Sequence, residues 1–247
     1  MRKKKSMGDH VALYLYNLFY NPSQWWNPMR HILWPISYFV RGAKVVPGAR
    51  ILDIGCGAGF FLERMRALGM KPYGIELGKQ GYRECLKKGI SAWNQPVEKA
   101  KMQSSYFDVI TINAVLEHVT DVKATLHACK RVLKKNGTIV IMVPNIDGYT
   151  ASHYGECWAD MDVPRHITHF NRKTIAMFME DAGLKVIKIK GTGSSFQFVQ
   201  SIAYKHPGTL LARVALSPLS SLIFNIPVII TNIFKKSGRL EIYATKK

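Results

Sequence analysis

Ile51-Leu52-Asp53-Ile54-Gly55-Cys56-Gly57-Ala58-Gly59-Phe60-Phe61-Leu62 is the stretch whose reading decides the fold. Ile51–Ile54 suits a central parallel strand. Three glycines at alternate positions follow, so the backbone can turn tightly and a ligand can approach without meeting a Cβ. From Gly59 the chain reads as a helix whose first turn offers free N–H groups and the positive end of a helix dipole. Strand, glycine turn and helix together predict a seat for a nucleotide-like ligand with an anionic group.

Working outward, strands and helices alternate. The pattern predicts strands at Pro72–Glu76, Ile90–Asn94, Phe107–Asn113 and Thr138–Val143, with helices at Lys79–Lys88 and Val122–Leu133. Lys134-Lys135-Asn136-Gly137 reads as the stop of the last of these helices. A helix over Arg172–Ala182 and strands at Leu184–Lys190 and Leu240–Thr245 complete the alternation. Such a rhythm argues for an α/β fold, a parallel sheet with helices on both faces. Ligands in such sheets bind outside the carboxyl ends of the strands, where Gly55, Glu76 and Asn113 fall.

The ends of the chain read differently. A helix is expected over residues 9–20, with Asp9 as its cap and Asn21-Pro22 as its end. A second is expected over residues 28–43, in a flank that holds Trp25, Trp26, Trp34, Tyr38 and Phe39. Residues 191–238 interrupt the alternation. Within them Val214–Phe234 carries no charge, is broken by Pro218 and Pro227, and reads as two short apolar helices rather than a clean membrane span. Asn145–Phe170 shows no clear periodicity and reads as a linker.

The chain has 247 residues and is 47% hydrophobic, enough for a proper core with additions. Its net charge of +19 is uneven: +7 in residues 1–50, +3 in 51–181 and +9 in 182–247. A near-neutral centre between basic flanks favours an anionic partner surface, phospholipid or nucleic acid. Four cysteines without a C-x-x-C pair suggest a reducing cytosol rather than a disulfide framework. The basic N-terminus lacks a small-residue cleavage site, which argues against secretion.

A dinucleotide fold would show G-x-G-x-x-G and needs no preceding acid. Here the pattern is Asp53-x-Gly55-x-Gly57-x-Gly59, with Glu76 at the end of the next strand. Four further stretches follow in order: Tyr73-Gly74-Ile75-Glu76, Phe107-Asp108-Val109-Ile110, Asn113-Ala114-Val115-Leu116-Glu117-His118-Val119 and Arg131-Val132-Leu133-Lys134-Lys135-Asn136-Gly137. With them the sequence resembles the class I S-adenosylmethionine-dependent methyltransferases over about residues 45–190 and the last strand. The resemblance implies a Rossmann-like doubly wound α/β sheet of seven strands, the last antiparallel and inserted beside the sixth. Residues 50–190 with 239–247 would form the core, 1–49 a basic aromatic helical cap, and 191–238 an apolar helical insertion that covers the site or faces a membrane.

The resemblance also implies roles. The Gly55, Gly57 and Gly59 loop would pass under the methionine part of S-adenosyl-L-methionine, with Asp53 holding loop and ammonium. Glu76 would accept from both ribose hydroxyls, Leu77 would pack on adenine, and Val97 and Glu98 would lie at the adenine. Gln95-Pro96 lacks the acid usual just before that position. Asn113 would lie by the amino-acid end. Methyl transfer from a sulfonium is an in-line displacement, in which the protein supplies position and excludes water. A hydroxyl acceptor also needs a base, and the candidates are His118, His166 and His169. His166-x-x-His169 beside Asp162 shows no third ligand at metal spacing, so no metal is expected.

These residues point to a methyltransferase for a small or lipid-linked acceptor, most simply by O-methylation. It would be cytoplasmic and peripheral on the inner, anionic membrane face. Two other readings stay open. Nucleic-acid methylation draws on the charge, but Asn113-Ala114-Val115-Leu116 is not the Asn/Asp-Pro-Pro-aromatic run of exocyclic-amine methyltransferases. A non-catalytic cofactor-binding subunit is disfavoured by the intact glycines and Glu76. Oligomeric state is not legible.

Overall fold

The computed structural model describes residues 7–21, 27–29, 42, 44–216 and 220–247. In chain order its elements are α1 (Met7–Tyr20), β1 (Arg50–Ile54), α2 (Phe60–Ala67), β2 (Lys71–Ile75), α3 (Lys79–Lys87), β3 (Ser91–Trp93) and β4 (Phe107–Asn113). These are followed by α4 (Val122–Val132), β5 (Leu133–Pro144), α5 (Tyr149–Tyr154), α6 (Arg172–Asp181) and β6 (Leu184–Thr192). Helices α7 (Ser195–Lys205), α8 (Leu210–Ala215) and α9 (Ser220–Ile233) then lead to β7 (Arg239–Lys246). The seven strands form one sheet in the order β3-β2-β1-β4-β5-β7-β6, and β7 runs antiparallel to both neighbours. The expected doubly wound sheet with an inserted last strand is the one observed.

Strand alternation divides the core into two layers. Leu52 and Ile54 of β1 pack with Ile110 and Ile112 of β4 under α4 and α6. Ile51 and Val109 turn the other way, against Leu62 and Met65 of α2, Cys85 of α3, and Tyr16 and Leu18 of α1. Burial on both faces requires a near-continuous apolar strand, which is how Ile51–Ile54 reads. Strand β1 is paired in parallel on both sides, Asp53 facing Gly74 of β2 and Thr111 of β4. The carboxyl ends of β1, β2 and β4 therefore open at one level.

Several expectations need correction. Lys134-Lys135-Asn136-Gly137 is not a loop: β5 starts at Leu133 directly after α4 and runs to Pro144. Leu133 pairs with Phe107 and Thr138 with Val109, and the register shift between them absorbs the extra residues. Lys134 is held there by its Nζ contact at 2.6 Å to Asp108 Oδ1. Asp9 does not cap α1; the helix begins at Met7 and Asp9 lies within it. The linker at 145–170 contains α5 and a short 3₁₀ turn, Gly155–Cys157. Ahead of α8 and α9, which fall on the stretch read as two apolar helices, the 191–238 segment holds a further helix, Ser195–Lys205, that was not expected. The second N-terminal helix, with Trp25, Trp26, Trp34, Tyr38 and Phe39, falls almost wholly outside the described residues, as does Pro218.

Asp108, near the start of β4, ties that strand to the starts of β1 and β5. Its Oδ2 accepts the Arg50 N–H at 2.9 Å, and its Oδ1 meets Lys134. Burial opposes its ionisation, but the Lys134 ammonium and the Arg50 N–H outweigh that and hold its carboxyl below the usual range. A depressed folded-state value means stability that is present above the unfolded value and lost as pH falls. Asp108→Asn is therefore expected to cost roughly 1–2 kcal/mol in urea unfolding at neutral pH. The gap to wild type should close as pH drops below about 4.

Candidate active site

The glycine loop is built by strand pairing. Gly55 N–H donates to Ile75 O at 2.8 Å, which bends the chain over the end of β2 as it leaves β1. The three glycines are not equivalent. A Cβ on Gly55 would strike Val115 Cγ2, and one on Gly59 would lie 2.9 Å from Cys85 Sγ and Ile90 Cδ1. Those two let the loop pack down. Gly57, at φ +53°, has nothing within 4 Å of where a Cβ would sit, so its backbone faces open space. Cys56 and Cys85 bring their sulfurs to 3.5 Å behind the loop as free thiols, and burial pushes both up.

Glu76 grips the loop from the side. Its Oε2 accepts Gly57 N–H at 2.8 Å and its Oε1 accepts Gly78 N–H at 2.7 Å. Asn94 secures the same turn by donating its Nδ2 to Glu76 O at 2.7 Å and Leu77 O at 2.8 Å. Each carboxylate oxygen has a second lone pair, so Glu76 can still accept from a diol while it holds the loop. Asn94 was not anticipated; a polar residue ending the strand beside Glu76 was its only signal.

A cavity of about 680 Å³ opens at this level. Its wall includes Gly55, Glu76, Leu77, Val97, Val115 and His118. Glu98 also lines it, but its Oε1 is tied to Thr125 Oγ1 on α4. Leu77 is exposed at the rim. Asp53 is not on the wall; it is fully buried and its Oδ1 accepts from Thr111 Oγ1 at 2.7 Å across the β1–β4 pair. Asn113 lines a separate small recess with Gly42 and Glu241. Its buried Oδ1 has no hydrogen-bond partner among the described residues. An open glycine backbone, a carboxylate at the β2 end, an apolar cavity beyond it and an unsatisfied amide oxygen beside it fit the parts of S-adenosylmethionine.

The three histidines singled out from the sequence come together, although 48 positions separate His118 from His166 in the chain. The loop after β5 docks on the turn after β4: Ile167 and Thr168 donate their N–H groups to Glu117 O at 2.8 and 3.2 Å. Ring centroids of His118 and His166 lie 4.6 Å apart, and those of His166 and His169 6.3 Å apart. His118 Nδ1 lies 2.9 Å from Arg165 O, and His166 Nδ1 lies 2.6 Å from Asp160 O. A carbonyl only accepts, so both Nδ1 atoms are assigned the hydrogen and both Nε2 atoms are left with a lone pair. His118 is the one of the three on the cavity wall. Burial, and then His166, lower the His169 imidazole below the ordinary histidine value.

Glu117 lies among them and was quoted in the sequence only as part of a motif. It is 1% exposed, and neither carboxylate oxygen has a hydrogen-bond partner among the described residues. Burial raises its carboxyl above the usual range, more than its own backbone N–H and the nearby histidines lower it. Ligand atoms of Glu117, His118 and His166 lie within 4.8 Å of one another, a donor set able to hold a divalent cation. This set shares only His166 with the His166-x-x-His169 pair of the linear reading; its other two members come from the turn after β4, and His169 is not among them.

Comparison with known proteins agrees with this architecture. Residues 37–189 match the family model described as a methyltransferase domain. A ubiquinone biosynthesis O-methyltransferase of Burkholderia pseudomallei is 28% identical over 213 residues, covering 78% of this chain and 86% of that protein. The protein of the same name from Idiomarina loihiensis is 26% identical over 189 residues, covering 68% and 78%. Among solved structures, an S-adenosylmethionine-dependent methyltransferase from Archaeoglobus fulgidus superposes with a TM-score of 0.57 at 19% identity, covering 94% of this chain and 99% of that one. The glycine loop, the Glu76 clasp and the match across most of the core lead to one conclusion: the chain belongs to the methyltransferase domain family and is a class I S-adenosylmethionine-dependent methyltransferase.

Proposed function

We propose that the protein methylates a hydroxyl oxygen of a small or lipid-linked acceptor at an anionic membrane surface. The observation that carries this reading is the convergence of His118 and His166 on Glu117, with His169 beside His166, next to the cavity that His118 lines. An oxygen acceptor must lose a proton during transfer, and an imidazole with a free Nε2 is suited to take it. Curated relatives named ubiquinone biosynthesis O-methyltransferase support oxygen over nitrogen or carbon. The basic flanks, the apolar helices after β6 and the lipid-like acceptor class support a membrane surface.

S-adenosylmethionine, when bound, supplies the electrophilic methyl group. In this reading Glu76 accepts from the ribose hydroxyls, Leu77 and Val97 flank the adenine with Glu98 at its edge, and the Gly55–Gly59 backbone lies under the methionine portion. Asn113 accepts from its ammonium group, and Asp53 stiffens the loop from beneath through Thr111. His118 receives the acceptor's proton on Nε2. Its Nδ1–H stays with Arg165 O, which holds the ring in one tautomer. His166 and His169 shape the acceptor side, and burial, which lowers the His169 imidazole, limits its repulsion of the cationic sulfonium. Most of the rate then comes from alignment and exclusion of water.

Incubation with labelled cofactor and a fractionated cell extract tests the acceptor class. Label should enter the lipid fraction; label confined to RNA would replace this reading with nucleic-acid methylation. Glu76→Ala is expected to weaken cofactor binding by roughly 30- to 100-fold in calorimetry, about 2–3 kcal/mol. His118→Gln should slow transfer by about 10²–10⁴ while changing cofactor affinity far less. Retention of full activity in His118→Gln would dismiss it as the base.

A further inference from the structure

The last two helices between β6 and β7 are built inside out. In α8 the buried side chains are the small Ala212 and Ala215, while Leu210, Leu211 and Val214 are exposed. In α9 Val228 and Asn232 are buried, and Ile223, Ile226, Ile230 and Ile233 are exposed. Spacings of three, four and three residues put those isoleucines on one helical face. Leu210 is 76% exposed, Ile223 64% and Phe234 73%. A surface helix on a soluble core turns its large aliphatic face inward. Here small and polar residues let the helices sit close to the sheet, with Val228 against Gly193, and the large aliphatics point away.

The charged residues of this segment are all cationic. Residues 193–238 contain no Asp or Glu, and Lys205, Arg213, Lys235 and Lys236 are all exposed. An apolar patch ringed by one sign of charge marks a contact with a surface of the opposite sign. No described helix is long and apolar enough to cross a membrane, which suits helices that lie on one.

The segment is also bolted to the active-site loop. Gln197 Nε2 of α7 donates to Asp160 Oδ2 at 2.5 Å and to Gly238 O at 3.0 Å. Ala159 N–H donates to Ser201 Oγ at 2.9 Å, and Arg239 pairs with Asp160 at 3.2 Å. Asp160 O in turn accepts from His166 Nδ1. Asn145, just beyond β5, donates to Ser237 O and Gly238 O, so the apolar surface is fixed at the ligand end of the sheet.

We propose that the outward faces of α8 and α9 dock on an anionic phospholipid bilayer and seat the His166 loop at the lipid surface. This rests on the membrane-surface reading above and assigns it to particular side chains. The test uses the full chain with phosphatidylglycerol and phosphatidylcholine vesicles in co-sedimentation at low salt. Wild type should pellet with phosphatidylglycerol far more than with phosphatidylcholine, and raised salt should weaken the difference. Ile226→Asp with Ile230→Asp should lower partitioning at least about tenfold, with cofactor affinity unchanged by calorimetry. Lys235→Glu with Lys236→Glu should remove most of the salt-sensitive part. Where the isoleucine variant also loses cofactor binding, Leu210→Asp carries the test instead. Wild type that stays in the supernatant, or an apolar-face variant that pellets as wild type does, overturns the docking. Label that enters no lipid fraction while vesicle binding persists overturns the acceptor reading and leaves the docking intact.

Discussion

Strand β1 is hydrogen-bonded in parallel to β2 on one side and to β4 on the other, and the rest of the molecule depends on that constraint. With both edges taken and both faces buried, the chain leaving Ile54 can only turn outward at the carboxyl end. That turn is the glycine loop. The same register brings Glu76 to the flank of the loop and Asn113 to its far side. The carboxylate of Glu76 then closes the arrangement by accepting N–H groups from Gly57 and Gly78. A ligand seat made in this way is rigid before any ligand arrives, which reduces the ordering cost of binding.

The chemistry-bearing side is assembled by a different device. The loop after β5 is anchored at two places: Ile167 and Thr168 on the Glu117 carbonyl, and Asp160 on Gln197 and Arg239. Between these anchors His166 is held by a backbone carbonyl, as His118 is across the gap. Fixing one ring nitrogen of each imidazole as donor leaves the other as acceptor. Glu117, buried without a hydrogen-bond partner among the described residues, gives the cluster its electrostatic character. A carboxyl in that position interacts strongly with any cation or proton that enters, since little solvent is present to screen it.

Helices α8 and α9 before β7 depart from the rule that large aliphatics face the core. In α7 the buried Phe198 and Ile202 sit beside Gln197 and Ser201, whereas the buried side chains of α8 and α9 are mostly small or polar: Ala212, Ala215, Ser220 and Asn232, with Val228. These hold the helices to the sheet by hydrogen bonds and close approach, and leave the apolar faces of α8 and α9 outside. The arrangement is consistent with a surface whose solvent is only partly water.

Much of this was legible from local pattern. Apolar runs bounded by glycines mark the strands, because burial on both faces permits little else. Asp53, the glycines and Glu76 mark the ligand end, because few residue types tolerate that turn or present a carboxylate at a strand end. Where Lys134–Gly137 misled, the cause was tertiary: a helix-stop composition was drawn into β5 by pairing with β4 and by the ion pair to Asp108. The inward or outward sense of α8 and α9 was equally hidden, since an apolar helix reads the same whichever way it is turned. What the sequence determined by itself was the alternation of strands and helices and the glycine turn, set by interactions between near neighbours, while the sheet order and the cofactor class were implied by the resemblance. The meeting of Glu117 and His118 with His166 and His169, the clamp at Asp160 and the outward apolar face were decided by the tertiary structure, because each depends on segments far apart in the chain being packed together.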